Sequence, residues 1–303
     1  MHFARTEEQD ELAATVRALL TKRSDSTAVR AAVETEAGYD TALWSALCEQ
    51  VGVAALAVPE EYDGFGASLV ETAVVLEVLG EFLTPAPLLA TALSTAQVLL
   101  HGSADERAEL LPRLAAGDVL PLALGAVVLE PVEPSDSMDQ TLRIGVAVEP
   151  GEVPADLRAI SVALTTALQV GGMQRALDMT VGYSKERVQF GRQIGSFQAL
   201  KHRMADMLVK VEASRSASWG ATAAAAAYLA DPGDDSLATL LRRSAAAGSY
   251  CSDAFDLVAS EMIQLHGGIA ITWEHDAHLV FKRAHALSRL NGPAHLLRAV
   301  LLD

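Results

Sequence analysis

The sequence predicts a mainly α-helical protein. A helical N-terminal domain spans 1–117, a short β-linker 118–156 and a bundle of long helices 157–303. Three observations predict this. Apolar residues recur at three- and four-residue spacing over most of the chain. Five of the 11 prolines (Pro121, Pro131, Pro134, Pro150 and Pro154) crowd into the middle segment. Beyond that segment helix breakers are so sparse that three stretches read as unbroken helices of ~30 residues, ~45 Å each at 1.5 Å per residue.

Taken in order, Thr6-Glu7-Glu8-Gln9 is a capping box that opens a first helix, with Leu12, Val16, Leu19 and Leu20 on one face. A second amphipathic piece holds Leu43, Trp44, Leu47 and Val51. Val58 to Gly66 is a loop with two glycines. Ser68-Leu69-Val70-Glu71 caps a helix that is apolar nearly all round through Leu79, the pattern of a central helix. After Pro85 and Pro87, Leu88 to Leu100 is helical again. Ser103-Ala104-Asp105-Glu106 caps one more helix, which ends near Gly117. In the linker, Leu124 to Leu129 and Leu142 to Val148 suggest two or three short strands around an acidic turn at Glu133–Asp136. The long helices are predicted at about Leu157 to Glu186, Ser196 to just before Asp231, and Asp235 to His266, where Gly267-Gly268 reads as a C-cap. A short last helix covers Ala294 to Leu302.

Composition removes several function classes. The chain of 303 residues carries 23 Lys+Arg against 39 Asp+Glu, a net charge of −16, and its pI near 4.9 argues against nucleic-acid binding. The start lacks the apolar core of a secretory signal, and no uncharged apolar run reaches the ~18–20 residues of a membrane span. Cys48 and Cys251 sit in no metal-type spacing and read as reduced thiols of a cytoplasmic protein. His275 and His278 share a helical face with no evident third ligand, so no metal site is expected.

Two segments carry the candidate chemistry: Tyr183 to His202, and Gln264 to Glu274. Each sets polar groups and glycines at a helix–loop junction. Arg187 is a planar fork suited to phosphate, and Phe190 adds a flat apolar face three residues on. Gln198 sits in the first turn of the next helix, where free N–H groups favour anions. Gly267 and Gly268 let backbone approach a ligand, with Gln264 one turn earlier. Plainer roles stand beside these. Arg187 also suits a helix C-terminal cation, the glycines a plain cap, and Phe190 and Phe197 a core.

These segments closely resemble the two C-terminal signatures of the acyl-CoA dehydrogenase family. Phe3 to Leu20 looks like that family's first helix, Val58 to Gly66 like its Val-Pro-Glu-Glu-Tyr-Gly-Gly-x-Gly loop, and Leu110 to Gly117 like its Leu-Leu-Pro-x-Leu-x-x-Gly segment. The resemblance implies an N-terminal helical domain, a C-terminal four-helix bundle and a middle β-domain that is here largely deleted. It also implies FAD lying across a subunit interface. Carried over by motif, Arg187, Gln189, Phe190, Gln198, Gln264, Gly267 and Gly268 would serve the pyrophosphate and adenosine half.

The departures are equally informative. The family's Thr-Glu-Pro-x-x-Gly-Ser-Asp segment for flavin and substrate is absent. Its Tyr-Glu-Gly-Thr motif falls, without gaps from Gly267, on Leu290-Asn291-Gly292-Pro293, so the glutamate base has become Asn291. The position that other members use for the base falls near Ser161. An amide or a hydroxyl there cannot take up the α-proton. The resemblance therefore implies a short, non-catalytic subunit of a heteromeric α2β2 acyl-CoA dehydrogenase, like those of actinobacteria that shorten steroid side chains. A full-length partner would hold most of the acyl-CoA, the flavin ring and the glutamate, with electron-transfer flavoprotein as an expected electron acceptor. Two other readings stay open: a self-sufficient homo-oligomeric dehydrogenase with an unrecognised base, and a flavin-free scaffold.

Overall fold

The computed structural model describes residues 5–130 and 137–301. Phe3, the acidic turn at 133–136 and Leu302 lie outside the described residues. Helices dominate. The N-terminal part holds α1 (Glu7–Arg23), α2 (Ser26–Val33), α3 (Thr41–Ala46, continued by a wider turn at Leu47–Val51), α4 (Leu69–Phe82), α5 (Leu88–His101) and α6 (Ala104–Ala115). All three expected capping boxes form, at Thr6 with Gln9, Ser68 with Glu71 and Ser103 with Glu106. Each satisfies backbone N–H groups that a helix start leaves orphaned.

The linker makes a small antiparallel sheet, β1 (Leu122–Leu124), β2 (Val127–Leu129) and β3 (Ile144–Val146), in the order β1-β2-β3. Leu122 pairs with Leu129, and Leu129 with Ile144. The expected first run, Leu124 to Leu129, is split by Gly125, whose φ of 66° turns the chain back on itself.

The second half is built on α7 (Ala155–Glu186), α8 (Gln198–Ala230) and α9 (Asp234–His266), joined by α10 (Ala277–Leu290) and α11 (Ala294–Ala299). The helix α7 is central. It packs on α4, α8, α9 and α10, so the apolar α4 is buried as its sequence requires. The α4–α7 crossing is tight. A Cβ on Gly171 would lie 1.9 Å from the Glu77 carbonyl oxygen, so only glycine allows this approach.

No separate helix was expected at 277–290, and the reason is chemical. Arg283 interrupts the apolar pattern in the middle of α10, yet it is 1% exposed. Its Nε donates to Asp139 Oδ2 at 2.5 Å, and its Nη2 donates to Thr141 O at 2.7 Å and Thr141 Oγ1 at 2.6 Å. A buried charge is tolerated when paired and fully hydrogen-bonded. This pair pins the linker onto α10.

Candidate functional site

The helix α7 ends at Arg187, and two short strands follow, β4 (Val188–Gln189) and β5 (Arg192–Gln193). Gln189 pairs with Arg192, which leaves a two-residue turn of Phe190 and Gly191. Their φ values are 53° and 76°, the left-handed pair that a tight hairpin turn needs. Phenylalanine pays ~1–2 kcal/mol for that conformation. Burial does not offset the cost, because Phe190 is 92% exposed. Its ring lies edge-on to Phe197 at 6.2 Å. The core role for Phe190 is therefore excluded within this chain, and strain is spent to present an aromatic face outward.

Across from the hairpin, α9 ends at His266 and a 3-10 turn spans Gly267–Ile271. Gly267 has φ 67° and ψ −145°, a conformation that side-chain-bearing residues rarely adopt. A Cβ on Gly267 or Gly268 would meet nothing within 4 Å. Their backbone thus faces open space.

Between the two segments lies a cavity of about 550 Å³. Arg187, Gln189, Phe190, Gln264, Gly267 and Gly268 all line it. Gln198 does not. It is the exposed first residue of α8. Phe197, which caps that helix, has no side-chain acceptor, and the N–H groups of Gln198 and Ala199 have no hydrogen-bond partner among the described residues. Among the described residues the Arg187 side chain makes no ion pair and no hydrogen bond to a helix-end carbonyl, so at the C-cap of α7 it retains only its interaction with the helix dipole. A second hollow, of about 610 Å³, contrasts with this one. Its arginines are spent on acids: Arg5 on Glu77 at 2.6 Å, Arg17 on Glu81 at 2.6 Å, and Arg215 on Glu77 at 3.1 Å.

Three further polar groups line the cavity that the sequence does not point to as ligand contacts: Tyr183, Arg203 and His266. Helical spacing held a signal for Tyr183, which lies four before Arg187; for Arg203 no such signal exists, since its neighbour Ala199 is known to line the cavity only from the structure. His266 is 4% exposed, stacks on Tyr183 at 4.5 Å, and donates Nδ1–H to Met262 O at 2.8 Å. Burial foremost, with His275 nearby, pushes its pKa below the usual imidazole value, although the carbonyls of Met262 and Met179 favour the proton. The loop beyond is anchored at Asp276, which accepts from Ser26 Oγ at 2.5 Å and Arg30 Nη2 at 2.9 Å. His275 Nδ1 accepts from the Ala277 N–H, and His278 stacks on Trp273 at 5.0 Å. Among the described residues no three His, Cys, Asp or Glu groups converge as a metal ion requires.

The two positions expected for a base come together. Ser161 Oγ donates to Asn291 Oδ1 at 2.7 Å, and Asn291 Nδ2 donates to Thr165 Oγ1 at 2.9 Å. Ser161 is 0% and Thr165 3% exposed. Here α7 and the end of α10 are closed by a neutral hydrogen-bonded network.

Comparison with known proteins gives these features a frame. Residues 6–118 match the acyl-CoA dehydrogenase N-terminal domain and residues 161–303 the acyl-CoA dehydrogenase C-terminal domain. The acyl-CoA dehydrogenase IpdE2 of Mycolicibacterium smegmatis is 43% identical over 95% of this chain and 96% of its own length. The chain belongs to the acyl-CoA dehydrogenase family. IpdE2 of Mycobacterium tuberculosis is 41% identical, with 96% of both chains covered. Two solved structures share the fold. The Tcur3481-Tcur3483 steroid ACAD has a TM-score of 0.82 at 24% identity, covering 98% of this chain and 97% of that one. The ChsE4-ChsE5 complex of Mycobacterium tuberculosis has a TM-score of 0.78 at 23% identity, covering 99% and 97%. Among the described residues no helix of this chain is long and apolar enough to cross a membrane.

The family is one of FAD enzymes, and the cavity fits part of that cofactor. Arg187 offers an unspent fork for a phosphate, Gln189 and Gln264 offer amides for a sugar or a base, and Phe190 offers a face for a ring. The open backbone at Gly267 and Gly268 permits close approach.

Proposed function

We propose that this chain is the FAD-supporting, non-catalytic subunit of a heteromeric acyl-CoA dehydrogenase, acting on an acyl-CoA such as a steroid side-chain thioester in the cytoplasm. FAD, when bound, accepts the hydride from the β-carbon. This chain's share is to hold the pyrophosphate with Arg187 and to seat the adenosine with Gln189, Phe190, Gln264 and the Gly267-Gly268 backbone, with Gln198 at the rim. In an α2β2 assembly, a full-length partner carries the flavin-ring contacts, most of the acyl-CoA site and the glutamate. Electron-transfer flavoprotein takes the electrons onward.

The observation that carries this reading is the 2.7 Å bond between Ser161 and Asn291. Both alternative positions for the base are present, and they satisfy each other. Neither side chain has a pKa that allows it to abstract a proton near neutrality. The steroid assignment draws its support from the steroid ACAD that shares this fold, and the heteromeric assembly from the ChsE4-ChsE5 complex.

The test is co-purification with the full-length partner and measurement of FAD per heterodimer. One FAD is expected, and Arg187→Ala lowers the content at least tenfold. Two FAD per pair contradict the shared site. An FAD content untouched by Arg187→Ala favours a flavin-free scaffold, and acyl-CoA oxidation by this chain alone establishes a self-sufficient enzyme.

A further inference from the structure

We propose that Arg203 is a second cation for the pyrophosphate, held for that purpose by Glu261. The proposal rests on the reading of the cavity just given and adds a residue that no motif assigns.

In a chain with a net charge of −16, the cavity is lined by two arginines, Arg187 and Arg203, and by no carboxylate. A pyrophosphate diester carries two negative charges, so one arginine leaves half of that charge unmatched inside a partly desolvated hollow. The unbonded N–H groups of Gln198 and Ala199 open the same helix that carries Arg203 and add positive potential at its start.

Arg203 Nε donates to Glu261 Oε2 at 2.6 Å. Neither Nη group has a partner among the described residues. A guanidinium is planar and rigid, so a grip on Nε fixes its plane and leaves the terminal edge unspent. That terminal edge is the fork that matches two phosphate oxygens. In the 610 Å³ hollow, by contrast, Arg17 gives Glu81 both Nε and Nη2. The Arg203–Glu261 pair itself is only half-buried, with side-chain exposures of 40% and 36%, so its own contribution to stability is small.

The test uses the complex with the full-length partner and follows FAD affinity by the fluorescence of free flavin. Arg203→Ala weakens FAD binding about tenfold. Glu261→Gln keeps an acceptor for the Nε–H while removing a competing charge, and strengthens binding about threefold. As competitors for the site, ADP loses about tenfold in affinity on Arg203→Ala and adenosine is unchanged. Equal weakening by both substitutions would assign the effect to the ion pair as a structural brace and overturn the proposal. So would equal losses for ADP and adenosine. If Arg187→Ala weakens FAD and Arg203→Ala stays within twofold of the parent, the proposal fails and the cavity reading stands. If neither arginine matters, the cavity reading falls with it.

Discussion

The end of α7 and its interior have been treated in opposite ways. At the hairpin the Arg187 and Gln189 side chains have no hydrogen-bond partner among the described residues, and a strained Phe190 is exposed. Nearly seven turns earlier, Ser161 and Thr165 are buried and share one amide, Asn291, between them. A binding surface must hold unspent hydrogen-bonding capacity, because a group already satisfied gains little from a ligand. At Ser161, Thr165 and Asn291 the reverse holds, since each of these side chains has a hydrogen-bond partner. One helix thus carries an open half-site and a closed one, and the closure is what argues for a partner subunit.

The largest expected effect lies at the closed end. Asn291→Ala removes one amide and strands the Ser161 and Thr165 hydroxyls, both buried. The loss is about 2–3 kcal/mol by the usual cost of buried unpaired groups, read as a lower denaturation midpoint. FAD content of the complex stays unchanged, because the cavity is lined by other residues. Asn291→Glu restores a carboxylate, yet the isolated chain is expected to remain unable to oxidise acyl-CoA with an artificial electron acceptor. Oxidation by that variant would erase the contrast between the two ends, since a missing base would then be the only thing closing the site.

Much of this was legible in the sequence, and the exceptions have physical causes. The capping boxes at Thr6, Ser68 and Ser103 and the extents of the long helices depend on local rules, and local rules are visible locally. The short second helix at 26–33 and α10 escaped. In α10 the obstacle was Arg283, whose burial depends on Asp139 and Thr141 more than 140 residues away. The site was legible where motif and helical periodicity coincide, and Arg187, Gln264 and the glycines meet at one cavity. Arg203 was not, because its lining position depends on how α8 leans toward the end of α9. The meeting of Ser161 with Asn291 was also out of reach, although each was singled out alone.

A glycine pair separates fold from binding at the open end. Gly267→Ala forces a side chain into φ 67° and costs about 1–2 kcal/mol of stability. Gly268→Ala has ordinary backbone geometry and open space for its methyl, so stability stays within about 0.5 kcal/mol. Its methyl nonetheless stands on the cavity wall, and FAD content of the complex falls several-fold. Thermal melts of both variants, set against flavin absorbance, separate the two effects. A Gly268→Ala complex with full flavin would show that the backbone there is a cap and nothing more.

The smallest effect concerns pH and joins the two regions. His266 is a buried, titratable member of the open site, and burial holds its pKa below the ordinary value; His275 and His278 are shifted the same way, again mainly by burial. A histidine that resists protonation when folded binds fewer protons than the unfolded chain. The stability it contributes is therefore complete above ~6.5, the unfolded value, and drains away as pH falls below it toward the depressed folded value. Asp276 is also depressed. Burial works against its charge, but Ser26, Arg30 and Arg175 outweigh burial, so its contribution is lost only at much lower pH, within the carboxylate range. Denaturant titrations at about pH 7.5 and about pH 5.5 span the histidine window, where the Glu130 carboxyl, pushed up to about 7 by burial, also titrates and with the opposite sign, so only the difference between variant and parent reads one histidine. His266→Phe keeps a flat ring against Tyr183 but has no proton to take up, so its loss of stability between those two pH values is smaller than the parent's. An undiminished loss would place the titration on His275 and His278 and leave His266 as packing alone. A diminished one would mean that acid loosens the helix end from which Gly267 departs, so that the open site fails before the closed network does.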